Sequence, residues 1–135
     1  GLQRISNLDD CFNLIDLSLC RNEITTITGL NHLVLLKRLD LSFNKIRKIE
    51  NLADLLSLEY LDLKANAISS VNDFEEIRML PALHTLHLQS GDGDEGNPAC
   101  RHPSYTTIVL RTLPQLQILD GEQVLLLHVL LNNLA

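Results

Sequence analysis

Residues 36–57, which read LKRLDLSFNKIRKIENLADLLS, repeat the pattern of residues 14–35, LIDLSLCRNEITTITGLNHLVL, without a gap. A third copy begins at Leu58, and all three copies share the pattern LxxLxLxxNxI. Equivalent positions therefore recur every 22 residues, as in Leu17, Leu39 and Leu61. A fixed period of this length predicts a solenoid in which each repeat is one structural unit.

The LxL element of each repeat predicts a short strand. Alternate residues of a strand point to the same side, so both leucines face inward. Each strand is expected to pair in parallel with the strand of the next repeat. The apolar residues that follow have a period of three, which suits a 3₁₀ or extended return path on the convex side. One repeat cannot bury its own apolar face, so the copies depend on stacking.

Asparagine is the one polar residue at an inward position of the pattern, at Asn22, Asn44 and Asn66. An amide side chain both donates and accepts hydrogen bonds, so it can satisfy backbone groups where the chain turns. Burial of an amide is otherwise unfavourable. We therefore predict that these amides are buried and bonded to the backbone.

The segment before the first full repeat continues the spacing of three backwards, at Leu2, Ile5, Leu8 and Cys11. We interpret residues 1–13 as the convex half of an earlier repeat, whose strand would lie before Gly1. Cys11 then takes a leucine position, as a small buried hydrophobic residue rather than a reactive thiol.

The third repeat is longer than the first two. Asn72 and Glu75 form an N-x-x-E start of the capping-box type, which predicts a helical turn or two over residues 73–79 on the convex side. A fourth strand is predicted at Leu83, Leu86 and Leu88. The asparagine position of that repeat holds Gly91, where the exposed acidic loop GDGDEG begins.

The sequence from Asn97, NPACRHPSYTTIVLRTLPQLQILDGEQV, resembles the C-terminal cap of leucine-rich-repeat proteins with 22-residue repeats. The resemblance implies an α/β solenoid: a right-handed superhelix with short parallel concave strands, a 3₁₀ or helical convex side and a helical cap. It implies a helix from about Ser104 to Thr112, stopped by Pro114, and a last strand-like layer at Leu116 and Leu119. The chain is then a single domain with four segments: a partial repeat, repeats, cap and tail helix over residues 1–13, 14–96, 97–121 and 122–135.

GLQRIS at the start, GDGDEGNPACRHPSY and LRTLPQLQILD are similar to the N-terminal domain of leucine-rich-repeat and coiled-coil centrosomal proteins. This resemblance implies a scaffold role at centrosomes, basal bodies or cilia, in the cytoplasm and on the cytoskeleton. In such proteins a coiled coil follows the cap, so the chain is expected to be a monomer or a coiled-coil dimer through flanking segments.

The tail EQVLLLHVLLNNLA is predicted to be helical, and Asp120 with Gln123 offers a D-x-x-Q start. One stripe of the helix is apolar, at Val124, Leu127, Leu131 and Leu134. Further leucines and valines leave the opposite face little polarity. Two interpretations remain open: the helix docks onto the cap, or it exposes apolar surface that recruits a partner or begins a dimer seam.

A solenoid presents the outward residues of its strands as one concave surface. The repeat phase places charged and aromatic side chains there, and aromatic residues beside charges are typical of interface hot spots. Asp40 and Asp62 are expected side by side on an open, solvated face, where a basic group of a partner, or the neighbouring Arg38 and Lys64, would relieve their repulsion. The predicted partner-binding residues are Asp16, Arg38, Asp40, Phe43, Tyr60, Asp62, Lys64 and His87. The alternative is a solvated mixed-charge face with incidental aromatic residues.

Composition argues against several other classes of function. The net charge of -6 disfavours nucleic acid as the main ligand. Three scattered cysteines are not a disulfide framework, which favours a reducing compartment. The apolar run from Val124 to Leu134 is too short to span a bilayer. We expect no signal peptide in this sequence, which begins at Gly1 rather than at a methionine.

Sequence motifs for catalysis or cofactors are missing. Asp92, Asp94 and Glu95 depart from the spacing of a calcium loop. His84 and His87 flank a strand and make a poor metal pair. We therefore expect no metal, no cofactor, no nucleic acid and no membrane ligand, and not an enzyme but a scaffold domain that binds a protein partner. The alternatives are a regulatory subunit that binds an enzyme such as a protein phosphatase, or a ribonucleoprotein subunit.

Overall fold

A computed structural model describes residues 1–133, so Leu134 of the predicted apolar stripe lies outside the described residues. Four three-residue strands, one per repeat, pair in parallel in chain order: β1 Asp16–Ser18, β2 Arg38–Asp40, β3 Tyr60–Asp62 and β4 Thr85–His87. A two-residue strand, β5 Ile118–Leu119, continues the parallel sheet, and β6 Glu122–Gln123 closes it in antiparallel fashion. The predicted parallel strands are confirmed in the predicted register, with Leu17, Leu39 and Leu61 opposite one another.

The core lies behind the sheet and is made mostly of leucine and isoleucine. Leu39, Leu41, Leu61 and Leu63 of the LxL elements have no exposed surface. The convex residues of period three are buried to the same extent in the first two repeats, at Ile24, Ile27, Leu30, Leu33, Ile46, Ile49, Leu52 and Leu55. In these repeats, branched aliphatic side chains at recurring positions therefore fill the interior.

The asparagines connect consecutive repeats through the backbone. Asn44 accepts from the N–H of Ile24 at 3.0 Å and donates to the carbonyls of Leu19 and Leu41, each at 3.0 Å. Asn66 repeats this arrangement one repeat further along. The predicted role is confirmed for Asn44 and Asn66, because each is buried and satisfies backbone groups of its own repeat and of the preceding one. Asn22 is bonded to the backbone as predicted but is only half-buried.

The convex side of the third repeat is a 3₁₀ helix, Val71–Ile77, with Phe74 and Ile77 buried. The prediction of a helix here is correct, but its start is wrong. Ser70 caps the helix by accepting from the N–H of Asn72 at 3.2 Å, so Asn72 is not the capping residue. Serine is as good a cap as asparagine, so residue type alone does not place the start of this helix.

Asn97, not Gly91, takes the asparagine position of the fourth repeat. Its amide donates to the carbonyls of Leu63 and Leu88 at 2.8 and 2.9 Å, and its oxygen accepts from Ile68 at 3.0 Å. The acidic loop lies between Leu88 and Asn97. The sequence prediction failed here because it kept the asparagine at a constant distance from the strand.

The cap begins with a 3₁₀ helix, Pro98–Arg101, and continues with helix α1, Tyr105–Thr112. Ser104 precedes α1 as its N-cap residue, which confirms the predicted bounds. Tyr105 and Val109 are buried, and the ring of Tyr105 meets that of Phe74 edge-on at 6.0 Å. Helix α1 therefore covers the convex core of the third repeat.

Asp120 ends the parallel sheet. In earlier repeats, the N–H of Leu19, Leu41 and Leu63 donates to a backbone carbonyl of the following strand. The N–H of Leu88 donates instead to the carboxylate of Asp120, at 2.8 Å. Asp120 also accepts from the hydroxyl of Tyr105 at 2.7 Å. The predicted role of Asp120 as the cap of the tail helix is therefore wrong, since its carboxylate replaces a strand carbonyl.

The tail forms helix α2, Val124–Asn133, after the hairpin of β5 and β6 that sequence reasoning missed. Val124 is buried, and Leu127 and Leu131 pack against the core. Leu125 and Leu130 are 77% and 52% exposed. Docking onto the cap and exposure of apolar surface, treated as alternatives above, both occur. Across residues 1–133, no helix has the length and apolarity that a bilayer crossing requires.

Candidate functional site

The concave surface of the sheet gathers the predicted residues into two rows. One row runs through Asp16, Arg38 and Tyr60, which lie opposite one another on β1, β2 and β3. The other runs through Asp40, Asp62 and His87 on β2, β3 and β4. Neighbouring strands lie about 4.8 Å apart, so side chains within a row are in contact range.

Arg38, Tyr60 and His87 form a continuous contact across three strands. The guanidinium of Arg38 lies 4.6 Å from the centre of the Tyr60 ring. The ring of His87 lies 5.4 Å from that of Tyr60, in a tilted arrangement. Arg38 also donates to Asp16 at 3.4 Å. These contacts restrict the side chains, which reduces the entropy lost when a partner binds.

Phe43 lies three residues after the end of β2 and is half-buried, with Arg21 4.2 Å above its ring. Arg21, Phe43 and Ala65 occupy the same place in three repeats and share a left-handed backbone, with φ of 58°, 56° and 55°. Arg21 is missing from the predicted set. Its spacing of 22 residues from Phe43 is the signal that could have included it.

Asp40 and Asp62 are stabilised differently from the prediction. Asp40 accepts from both the backbone N–H and the hydroxyl of Ser42, at 3.0 and 2.6 Å. Asp62 pairs with Lys64 at 2.7 Å, as expected, whereas Arg38 pairs with Asp16 and not with Asp40. The expectation of an open face is wrong at Asp62, which is 2% exposed because the side chain of Lys64 covers it.

Two ionisable groups of the surface keep their protonated forms. Partial burial and the carboxylate of Asp62 raise the pKa of the Tyr60 hydroxyl. Burial alone would lower the pKa of Lys64, but its hydrogen bond to Asp62 and the negative charges of Asp62 and Asp40 together outweigh this and raise it. At neutral pH the surface therefore presents the neutral phenol of Tyr60 beside the ion pair of Asp62 and Lys64. This arrangement is suited to binding a protein partner.

Other reactive groups lie away from this surface or have structural partners. Burial raises the pKa of the Cys100 thiol, which donates to the carbonyl of Leu88 at 3.3 Å. Cys11 is half-buried and packs against the core. In the acidic loop, Asp92 accepts from the N–H of Asp94 and from Ser90, whose hydrogen bond lowers the pKa of Asp92. Within residues 1–133, no three potential metal ligands cluster.

The family model described as leucine-rich repeat matches residues 2–129. The chain therefore belongs to the leucine-rich-repeat family. The parallel sheet and the recurring asparagine contacts fit this assignment.

Two curated relatives align with the chain. Dynein axonemal assembly factor 11 of Trypanosoma brucei brucei is 42% identical over 125 residues, which are 92% of this chain and 31% of that protein. Human leucine-rich repeat and coiled-coil domain-containing protein 1 is 42% identical over 50 residues, or 36% of this chain and 5% of that protein. The chain thus spans less than a third of either relative.

Among solved structures, a chain of the Drosophila melanogaster SNF/U2A′ complex has a TM-score of 0.73 and 31% identity. The match covers 90% of this chain and 68% of that one. An internalin from Listeria monocytogenes has a TM-score of 0.65 and 27% identity, over 86% of this chain and 31% of that one.

Proposed function

We propose that this chain is a non-catalytic interaction domain that binds a protein partner on its concave surface, within a ciliary or centrosomal assembly. The main observation is the interlocked surface around Arg38, Tyr60 and His87. Aromatic and arginine side chains dominate binding energy at protein interfaces when they are held in place and shielded from water. The binding residues are the eight predicted from the sequence, together with Arg21.

The cellular part of the proposal is supported by the relatives. The aligned region of the trypanosome relative spans nearly the whole chain, and that protein is named for the assembly of axonemal dynein. The human relative is named for a coiled coil that accompanies its repeats. A repeat domain that joins components of such an assembly would be cytoplasmic and would act by binding alone.

The test is affinity capture from a lysate of ciliated cells, with partners identified by mass spectrometry. The wild-type chain is compared with a Phe43→Ala/Tyr60→Ala variant. Alanine at position 43 is compatible with the fold, because Ala65 already has the equivalent backbone conformation. A dynein or basal-body component retained by the wild type and lost by the variant is the expected result.

The matched control is Leu125→Ala/Leu130→Ala, which truncates two exposed side chains of α2 and leaves the sheet unchanged. This control should keep the partner. Circular dichroism establishes that all three chains are folded. Retention of every partner by the concave variant would refute the concave surface as the binding site, and recovery of a phosphatase catalytic subunit would favour the enzyme-regulator alternative.

A second candidate is a subunit of a stable complex that includes RNA. The likeness to a chain of the SNF/U2A′ complex favours membership of a complex with another protein. If RNA contributed to binding, association would fall steeply between low and physiological salt, because counterions are released from the phosphates. A capture that is insensitive to salt and to ribonuclease would exclude this alternative.

A further inference from the structure

One side of the solenoid, away from the concave surface, exposes apolar residues at the same place in consecutive repeats. Phe12, Val34 and Leu56 follow one another at intervals of 22 residues and are 56%, 50% and 58% exposed. Ile15 and Leu35 are half exposed beside them. We call these five residues the lateral flank. A contiguous apolar surface on a folded domain usually marks an interaction site.

The backbone holds the lateral flank in line. The same turn recurs in each repeat next to the flank. In it, a backbone N–H donates to the carbonyl three residues earlier, at 3.1 Å for Leu14 and at 3.0 Å for both Leu36 and Leu58. The ring of Phe12 meets the edge of the His32 ring at 5.6 Å, which connects two repeats. The flank is therefore one continuous surface over three repeats.

The edge of the lateral flank away from the sheet carries only acidic charge. Lysine and arginine are absent from the three segments that form it, residues 5–15, 27–36 and 49–58. Asp9, Asp10 and Asp54 are exposed there, and none of them takes part in an ion pair in the described part of the chain. Lys37, in the column of Ile15, lies at the opposite edge beside the strands. The free carboxylates thus border the edge away from the sheet.

We propose that the lateral flank binds an amphipathic helix of a partner protein. The apolar face of this helix is aliphatic, and its Lys or Arg residues meet Asp9, Asp10 and Asp54. This surface is separate from the concave one, so the proposal does not depend on the function proposed above.

A helix fits the spacing of the flank. Strands of a sheet lie about 4.8 Å apart, so residues at one place in the first and third repeats are roughly 10 Å apart. Positions i and i+7 of an α-helix are about 10.5 Å apart along its axis. A helix parallel to the solenoid axis can therefore place one apolar residue against Phe12, Val34 and Leu56 in turn. Apolar anchors at i, i+3 or i+4, and i+7 are the usual pattern of helix-in-groove recognition.

The test uses two fluorescein-labelled peptides of about 18 residues, or five helical turns. They share the same leucine face, and the other positions are lysine in one and glutamate in the other. Fluorescence anisotropy measures their affinity for the 135-residue chain. We expect the lysine peptide to bind at least about tenfold more tightly than the glutamate peptide, a difference near 1.4 kcal/mol. Equal binding of both peptides would overturn the proposal.

Variants locate the binding site. Val34→Ser/Leu56→Ser should weaken the lysine peptide by about tenfold or more, because two exposed apolar contacts are lost. Asp9→Asn/Asp10→Asn/Asp54→Asn should instead reduce the preference for lysine over glutamate and keep the leucine-dependent binding. Both variants change exposed side chains, and thermal melting checks that they fold.

Matched controls separate the flank from other surfaces. Leu125→Ser/Leu130→Ser on α2 and Tyr60→Ala on the sheet should leave peptide binding unchanged. Loss of binding in the α2 control, with the flank variant unaffected, would assign the peptide to α2 and refute the proposal. Sedimentation of the chain alone tests the other occupant, since self-association abolished by Val34→Ser/Leu56→Ser would show a second copy on the flank.

Discussion

The first and second repeats have nearly the same sequence pattern and different packing. Leu17 and Leu19 of the first repeat are partly exposed, whereas Leu39 and Leu41 at the same positions of the second are fully buried. The second repeat has a strand on either side, but β1 has only β2 as a neighbour among residues 1–133. Burial in a solenoid is therefore a property of the neighbours as much as of the repeat.

Truncation of the inward leucines should give the largest difference between the two repeats. Leu39→Ala, or Leu61→Ala in the third repeat, should reduce the free energy of unfolding by roughly 2–5 kcal/mol, as truncations of buried leucine do. Leu17→Ala should reduce it by about half as much, because part of the leucine is already in water. Urea denaturation measures both. Equal losses for Leu17 and Leu39 would show that the exposed end is no weaker.

The asparagines give a smaller contrast. Asn44→Ala should destabilise by about 1–3 kcal/mol, since it removes partners from buried backbone groups of two repeats. Asn22 donates to the carbonyls of Leu19 and Cys20 and accepts from the N–H of Leu2, but it is partly exposed, so its replacement should have a smaller effect. Thermal melting of both alanine variants tests this order. A neutral Asn44→Ala would contradict the inter-repeat role of the amide.

The strand-end carboxylate should give the smallest effect. Asp40 is bonded to Ser42, and the equivalent residue of the first repeat is Ser18. Asp40→Ser makes the second repeat resemble the first at this position and should lower stability by about 1 kcal/mol. The same variant should leave the contact of Arg38 with Tyr60 on the concave surface intact. Near-ultraviolet circular dichroism, to which the Tyr60 ring contributes, can monitor this contact. A loss as large as that for Leu39→Ala would indicate an unrecognised packing role.

The sequence is a good guide to the fold where its period is unbroken. The strands, the buried leucines and the asparagine contacts follow from a spacing of 22 residues, because stacked units repeat the same contacts. The prediction fails where a residue of a different type, or at a different distance, takes over a repeated role. Asn97 does so after the acidic loop, and Asp120 does so with a carboxylate in place of a backbone carbonyl.

The membership of the concave surface could be predicted from the repeat phase, but its pairings could not. Phase tells which side of a strand a residue faces, so it correctly predicts that Arg38 and Tyr60 share one surface. Arg38 forms its ion pair with Asp16 and not with Asp40, and this depends on side-chain conformations. The burial of Asp62 depends on the reach of Lys64 across it. Neither of these two contacts recurs at a fixed spacing, so the sequence pattern cannot predict them.

The acidic loop is a place where the length and the sequence of this domain can change. The carbonyl of Glu95 accepts from Ala65 at 2.9 Å, as Lys64 does from Phe43, so the normal register resumes before Asn97. The fold therefore constrains both ends of the insertion and not its length. Each doubling of a flexible loop adds only about 0.6 kcal/mol of closure entropy. Residues 91–94 are thus the place where new sequence can be acquired, by evolution or by grafting, while the repeats on both sides keep their contacts.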